Sequence, residues 1–236
     1  MAFQPKTDYF GLTSASQVKI TDSNENKSAQ VATGVDEKGD VQAVTEYGSQ
    51  MAPSCSYVIA SAYTFPSVKI GDASISVSGT TDMFTITSIN ITTGAGQPPS
   101  IEVTGQGVPS AAASHNDCTY TIPATSLEAC HHAQTLWSAF SEVTGSGCYL
   151  TNANYTVGGD LTTATKDGEI VSFDITNGRI EANITIVQTG ATAPSVTPGT
   201  GFYETSPLTK SDPDAAYPTW TATYTKYLVH DSSASA

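Results

Sequence analysis

The chain has 236 residues, 39% of them hydrophobic, enough for one large β domain or two small ones. Only 13% are charged, and nine Lys and Arg against 22 Asp and Glu give a formal charge of −13. That balance argues against nucleic-acid binding through clustered cations, and the abundance of Thr, Ser, Gly and Ala leaves long neutral surfaces suited to lying against other chains.

Residues 1–48 read as an N-terminal arm. The opening MAFQPKTDYFG has no apolar run of the kind a secretory signal needs, so none is expected. Gln17–Ile20 is a short strand candidate, followed by the polar run Thr21–Lys27. Val31–Val35 and Val41–Val44 flank Asp36, Glu37, Lys38, Gly39 and Asp40, which read as a hairpin with a charged tip.

Residues 49–230 read as one β-sandwich or barrel-like domain. Strands are expected at Ser56–Tyr63, Ser67–Ile70, Ala73–Ser78 and Met83–Thr92, separated by Pro66, Gly71-Asp72 and Gly79–Asp82. Phe84, Ile86, Ile89 and Ile91 break alternation near Ser88, which predicts a β-bulge or burial on both faces. Gly94–Pro99 reads as a loop, Ile101 and Val103 begin another strand, and Cys118–Ile122 is a short one.

The stretch Thr125–Gly145 predicts the one helix, spanning about 126–144. Thr125 and Glu128 have capping-box spacing. Cys130, Ala133, Trp137 and Phe140 fall on one helical face, with Leu136 and Val143 widening it. Gly145 and Gly147 supply a stop. Such a helix would flank the sheet and bury its stripe there.

Beyond it, Cys148–Val157 alternates as a strand. Glu169–Val187 reads as a hairpin around Asn177-Gly178, a preferred type I′ turn. Pairing outward sets Ile175 against Ile180, Phe173 against Ala182 and Val171 against Ile184, with Asp174 opposite Glu181 on the other face. Like charges there destabilise a pair, so the two are either solvated carboxylates or part of a deliberately acidic face. Gly190–Pro218 is a long Pro/Gly-rich insertion whose Phe202 and Tyr203 are suited to docking. Thr219–Val229 closes the domain as a strand, and 231–236 is a small polar tail.

No catalytic, cofactor or metal signature accompanies this layout. Cys130, His131 and His132 are adjacent, and helical neighbours point about 100° apart, so they do not converge on one ion. Cys55, Cys118, Cys130 and Cys148 follow no CxxC pattern and read as small buried hydrophobes, a Cys118–Cys148 bridge being the alternative. There is no G-x-S-x-G elbow, no P-loop and no apolar run long enough for a membrane anchor. Asn90-Ile-Thr92, Asn154-Tyr-Thr156 and Asn183-Ile-Thr185 match the glycosylation pattern inside expected strands and read as coincidences of a Thr-rich chain.

A signal-less start, an arm over Met1–Ser49, strands grouped about Thr125–Gly145, the Asn177-Gly178 hairpin and the Gly190–Pro218 insertion together resemble the tail tube (major tail) proteins of tailed bacteriophages. The resemblance is one of layout across the chain, with no short motif specific to it. It implies a β-sandwich flanked by a helix and stacked rings, usually hexameric, with arms and loops latching onto neighbouring subunits. The partners it implies are the chain itself, other tail or virion proteins, and DNA in transit without specific binding. The location it implies is the virion tail, after synthesis in the host bacterial cytoplasm. On it, Asp174 and Glu181 are the candidate acidic lining, and Asp36, Glu37, Lys38, Asp40, Phe202 and Tyr203 the candidate inter-subunit contacts. Head-decoration, neck and fibre proteins could share the layout. The competing classes are a carbohydrate- or cell-surface-binding module using Trp137, Trp220 and Tyr203, and a hydrolase on a β scaffold.

Overall fold

Buried and exposed residues alternate through most of the chain, and the fold converts that alternation into one large sheet. The structure is a computed structural model that describes residues 8–9, 12–13, 17–71, 75–76, 83–108, 114–115, 119–166, 169–212 and 216–231. The first half supplies strands β1 (Asp8–Tyr9), β2 (Leu12–Thr13), β3 (Val18–Val35), β4 (Val41–Ile59), β5 (Tyr63–Phe65), β6 (Val68–Ile70), β7 (Ile75–Ser76), β8 (Met83–Gly94) and β9 (Gln97–Val108). The second supplies β10 (Ser114–His115), β11 (Tyr120–Ile122), β12 (Thr125–Leu127), β13 (Cys148–Lys166), β14 (Glu169–Gln188), β15 (Tyr203–Ser211) and β16 (Thr219–Tyr227).

The main sheet runs β15-β16-β14-β13-β8-β9-β4-β3, with β10 beside β14 and β7 beside β8. Its long path is antiparallel throughout. Strands β14 and β4, separated by three others, still touch, so the sheet curls in a barrel-like way. One face carries the core. Tyr57, Ile101, Ile91, Tyr155, Ala182 and Tyr224 stand side by side across six strands, each fully buried or nearly so. Burial at roughly 25 cal/mol per Å² makes this row the main source of stability.

The expected hairpin at Asp36–Asp40 is present. Val35 pairs with Val41, and the Asp36 carboxylate accepts from the N–H groups of Lys38 and Asp40, each at 2.9 Å, and from Gln42 Nε2 at 3.0 Å. β4 runs unbroken through residues 48 and 49, so this hairpin is continuous with the sheet. The expected irregularity near Ser88 is also present, as a register shift between Ile86 and Ser88. The loop expected at 94–99 is tighter, with only Ala95 and Gly96 between β8 and β9.

The helix expected over 126–144 is not formed. Residues 125–127 are strand β12, and 128–147 run as an irregular chain across the core face. Trp137 and Ser138 have φ of 52° and 53°, a left-handed conformation no α-helix contains. Tertiary partners take the backbone groups the helix would have used. The Tyr155 hydroxyl donates to Gln134 O at 2.7 Å and accepts from Leu136 N–H at 3.0 Å. Thr125, the expected cap, accepts instead from Trp137 N–H. Of the expected stripe Ala133, Leu136 and Phe140 are buried, in coil form, while Cys130, Trp137 and Val143 are half-buried.

A second irregular segment, 190–202, pairs with the first. Ser195 and Thr144 exchange backbone hydrogen bonds at 2.8 and 3.0 Å, and Ser141 N–H donates to Thr197 O. Gly199 lies so close to Ser138 O that a Cβ would sit 1.7 Å from it, which only glycine permits. These coils, with the small sheets β11-β6 and β12-β5, form the layer that covers the core.

The Asn177-Gly178 hairpin is likewise corrected. Residues 169–188 form one continuous strand, and the hairpin partner is β13. Ile175 pairs with Leu161 and Ile180 with Val157, while Asp174 lies opposite Thr162 and Glu181 opposite Thr156. Asn177 is left-handed at φ 54°, as a type I′ turn would need, but it serves a register shift in which Asn177 and Gly178 oppose Gly159. Gly178 is required by the Tyr120 ring, which a Cβ there would meet at 2.5 Å.

The insertion 190–218 is also not all loop, because β15 occupies its second half and pairs with β16. Cys55 is a buried thiol, and Cys130 and Cys148 are half-buried free thiols. The strand expected at Ala73–Ser78 is described only at β7. Gly79–Asp82, Cys118, most of the first sixteen residues and the tail beyond Asp231 lie outside the described residues.

Candidate functional site

The face of the main sheet opposite the core is not covered by the coil layer, and its composition is unusual. The pairing of strand with strand places Asp22, Ser56, Glu102, Asn90, Thr156, Glu181 and Thr225 in one row from β3 to β16. One step along, the row is Lys19, Val58, Ser100, Thr92, Asn154, Asn183 and Thr223. One step the other way it is Asn24, Ser54, Thr104, Ser88, Gly158, Arg179 and Tyr227. Small neutral hydroxyls and amides fill 13 of these 21 positions, five are charged, and the one aliphatic side chain of the three rows is Val58.

Side chains on this face bond to one another across strands. Thr92 Oγ1 donates to Asn154 Oδ1 at 3.2 Å, and Thr223 Oγ1 donates to Asn183 Oδ1 at 2.8 Å. Ser88 and Thr104 hydroxyls meet at 2.7 Å, and those of Thr205 and Thr225 at 2.9 Å. Each bond is worth on the order of 1 kcal/mol net. Their larger effect is to hold the polar groups within the surface and lower its stickiness toward a passing ligand.

The charges are few and are arranged against phosphate. Arg179, the only arginine in the chain, donates from Nε to Glu181 Oε1 at 2.7 Å and from Nη1 to Asp160 Oδ1 at 3.2 Å. Donating these hydrogen bonds to Glu181 and Asp160 pushes its guanidinium further into its charged range. Asn177 Nδ2 and Arg179 together hold the Asp160 carboxyl below its ordinary value. Lys19 is the other cation of these rows, and Asp22 is its neighbour in the next row on the same face of β3, with Glu102 also exposed there. A face of this kind has no cluster of cations for a nucleic-acid backbone to grip.

Of the two acidic residues singled out in the sequence, Glu181 lies on this face but is neutralised by Arg179. Asp174 lies beyond the Asn177 irregularity, half-buried, with Oδ1 unpartnered. Along the strand the two are roughly 20 Å apart, so no acidic pair forms. At the hairpin tip Glu37, Lys38 and Asp40 are exposed, whereas Asp36 is taken up in the turn, its carboxyl held below its ordinary value by the backbone N–H groups of Asp40 and Lys38. Phe202 is buried beneath Lys226 Nζ, 5.7 Å from the ring centroid, and its neighbour Tyr203 is 66% exposed.

A carbohydrate platform finds little support in the tryptophans. Trp137 packs edge-on to Tyr155 and spends its N–H on Pro123 O, and Trp220 spends its N–H on Gln188 Oε1. A depression of about 470 Å³ on the polar face is lined by Val58, Thr92, Gly94, Gln97, Ser100 and Asn152, among others, with neither an aromatic ring nor a carboxylate. No group of His, Cys, Asp and Glu among the described residues is placed to hold a metal ion.

The polar face was encoded in signals that sequence reading set aside. Asn90-x-Thr92, Asn154-x-Thr156 and Asn183-x-Thr185 are each two polar residues on one side of a strand, and all three point to this face. Thr219, Thr221, Thr223 and Thr225 alternate in the same way along β16. No protein-family model matches the chain, and no curated protein matches it.

Proposed function

We propose that this chain is a non-catalytic structural subunit of a phage-type tail tube. It assembles through its sheet edges into closed rings, hexameric on the family's pattern, which stack into a conduit in the virion tail. Its partners are other copies of itself and neighbouring tail proteins, and it needs no cofactor. The single observation that carries this reading is the polar face, which spans seven strands of the sheet from β3 to β16, or roughly 30 Å, with almost no free cation. DNA carries about one negative charge per 1.7 Å of axis. A lining of Thr, Asn and Ser with sparse carboxylates repels it weakly over a Debye length of about 8–10 Å and offers nothing to bind.

The edges support the same reading. β3 and β15 end the sheet path among the described residues, and sheet edges are templates for pairing with another chain. A heterologous contact between the two edges closes a ring when the rotation permits. The test is size-exclusion mass with negative-stain electron microscopy of the purified chain at high concentration. Rings or tubes of uniform bore are expected. A monomer at every concentration, with and without added tail-tip proteins, would rule the reading out.

A further inference from the structure

Asparagine amides are among the least durable groups in a protein, and the residue that follows each one governs how fast it is lost. The chain has eight asparagines, and only Asn177 precedes a glycine. A glycine carries no side chain to shield its backbone nitrogen, so that nitrogen can close on the side-chain carbonyl of the asparagine before it. Asn177 is exposed and left-handed, with φ 54°, and neither it nor Gly178 has a paired residue across the ladder on β13.

Two charged neighbours act on this peptide unit in opposite senses. Arg179 Nη1 donates to Asn177 O at 3.4 Å. When the Gly178 N–H ionises, negative charge spreads onto that same oxygen, so the guanidinium favours the ionised and nucleophilic form. Asp160 Oδ2 accepts from Asn177 Nδ2 at 2.9 Å. That bond ties down the amide that has to turn toward Gly178, and a carboxylate at its nitrogen makes its carbon a poorer electrophile.

We propose that Asn177 is a site of spontaneous deamidation in the folded chain, promoted by Arg179 and restrained by Asp160, with water as the only co-reactant. Hydroxide takes the proton from Gly178 N, and the nitrogen attacks Asn177 Cγ to form a cyclic imide. The Cγ–Nδ2 bond breaks, and the nitrogen leaves as ammonia with a proton from water. Water then opens the imide at either carbonyl, leaving aspartate or isoaspartate. The isoaspartate form lengthens the backbone where the register shift already sets two residues against one. Either product replaces the donor on Asp160 with a second carboxylate, so that Arg179 is shared among three. The modification does not depend on the assembly reading.

The test is mass spectrometry of the full chain held at mildly alkaline pH, following the mass gained as an amide becomes an acid in the peptide that contains residue 177. Wild type, Asp160→Ala and Arg179→Met are compared folded and in urea, with thermal melts to verify folding. In the folded wild type, residue 177 is expected to convert at least tenfold faster than any other asparagine. Asp160→Ala should speed that conversion at least threefold and Arg179→Met should slow it at least threefold, with all three rates alike in urea. No conversion at residue 177 of the folded wild type, or none faster than elsewhere, overturns the site whatever the variants do. Variants that match the wild type when folded, or that differ from it equally in urea, overturn the roles of Arg179 and Asp160.

Discussion

Tyr155 is fully buried, and its hydroxyl, donating to Gln134 O and accepting from Leu136 N–H, fastens the covering coil to the sheet. Burial pushes its phenol well above the ordinary tyrosine range, so it stays neutral and keeps both roles. Tyr155→Phe leaves a buried carbonyl and N–H without that partner, and urea unfolding should register a loss of about 1–3 kcal/mol. Arg179 acts at the same scale on the other face. Asp160 is lowered from 3.8 by its hydrogen bonds with Asn177 and Arg179. A depressed carboxyl stabilises the fold above its unfolded value, and that contribution disappears as pH falls through the lower folded value. Replacing Arg179 with Met removes one of the two partners. The stability gap between wild type and Arg179→Met, followed by urea unfolding from pH 7 to pH 3, should therefore narrow below about pH 4. A gap that widens on acidification would contradict the assignment.

Among the elements, segment 128–147 shows where local preference and tertiary structure part. Left-handed backbone at a non-glycine residue costs about 1–2 kcal/mol, and Ser138 is exposed and left-handed. Ser138→Gly should stabilise the protein by about 1 kcal/mol in thermal or urea unfolding. In a helix the same change would destabilise by about the same amount, so the sign alone distinguishes the two conformations. Strand content, the bulge near Ser88 and the Asp36–Asp40 turn were legible because alternation and turn chemistry are local. The coil was not, because the hydroxyl of Tyr155 and the Thr125 side chain outbid the helical ladder, and no window of sequence around 126–144 contains Tyr155. Asn177-Gly178 was assigned to a type I′ turn, whereas only Asn177 of the two is left-handed and it serves a bulge. Its use in a bulge follows from the length of β13, whose alternation continues past Val157 through Gly158 and Gly159. The polar face escaped notice because it appears only when neighbouring strands are laid in register.

For the whole molecule, the division of labour is between faces and edges. One face holds the stability, in the row from Tyr57 to Tyr224. The other is hydroxylated and poor in cations, and the two ends of the sheet path are where the proposed ring contacts would form. The net charge of −13 suits an assembly through which a polyanion moves. Asn183 lies on the polar face, on β14, and is exposed. Asn183→Cys, labelled with a small maleimide–gold particle after assembly and viewed by electron microscopy, tests the central claim most directly, with wild type treated with the same maleimide–gold as the control for its native thiols. The account predicts gold on the axis of each ring, inside the bore. Gold on the outer rim of well-formed rings would contradict it.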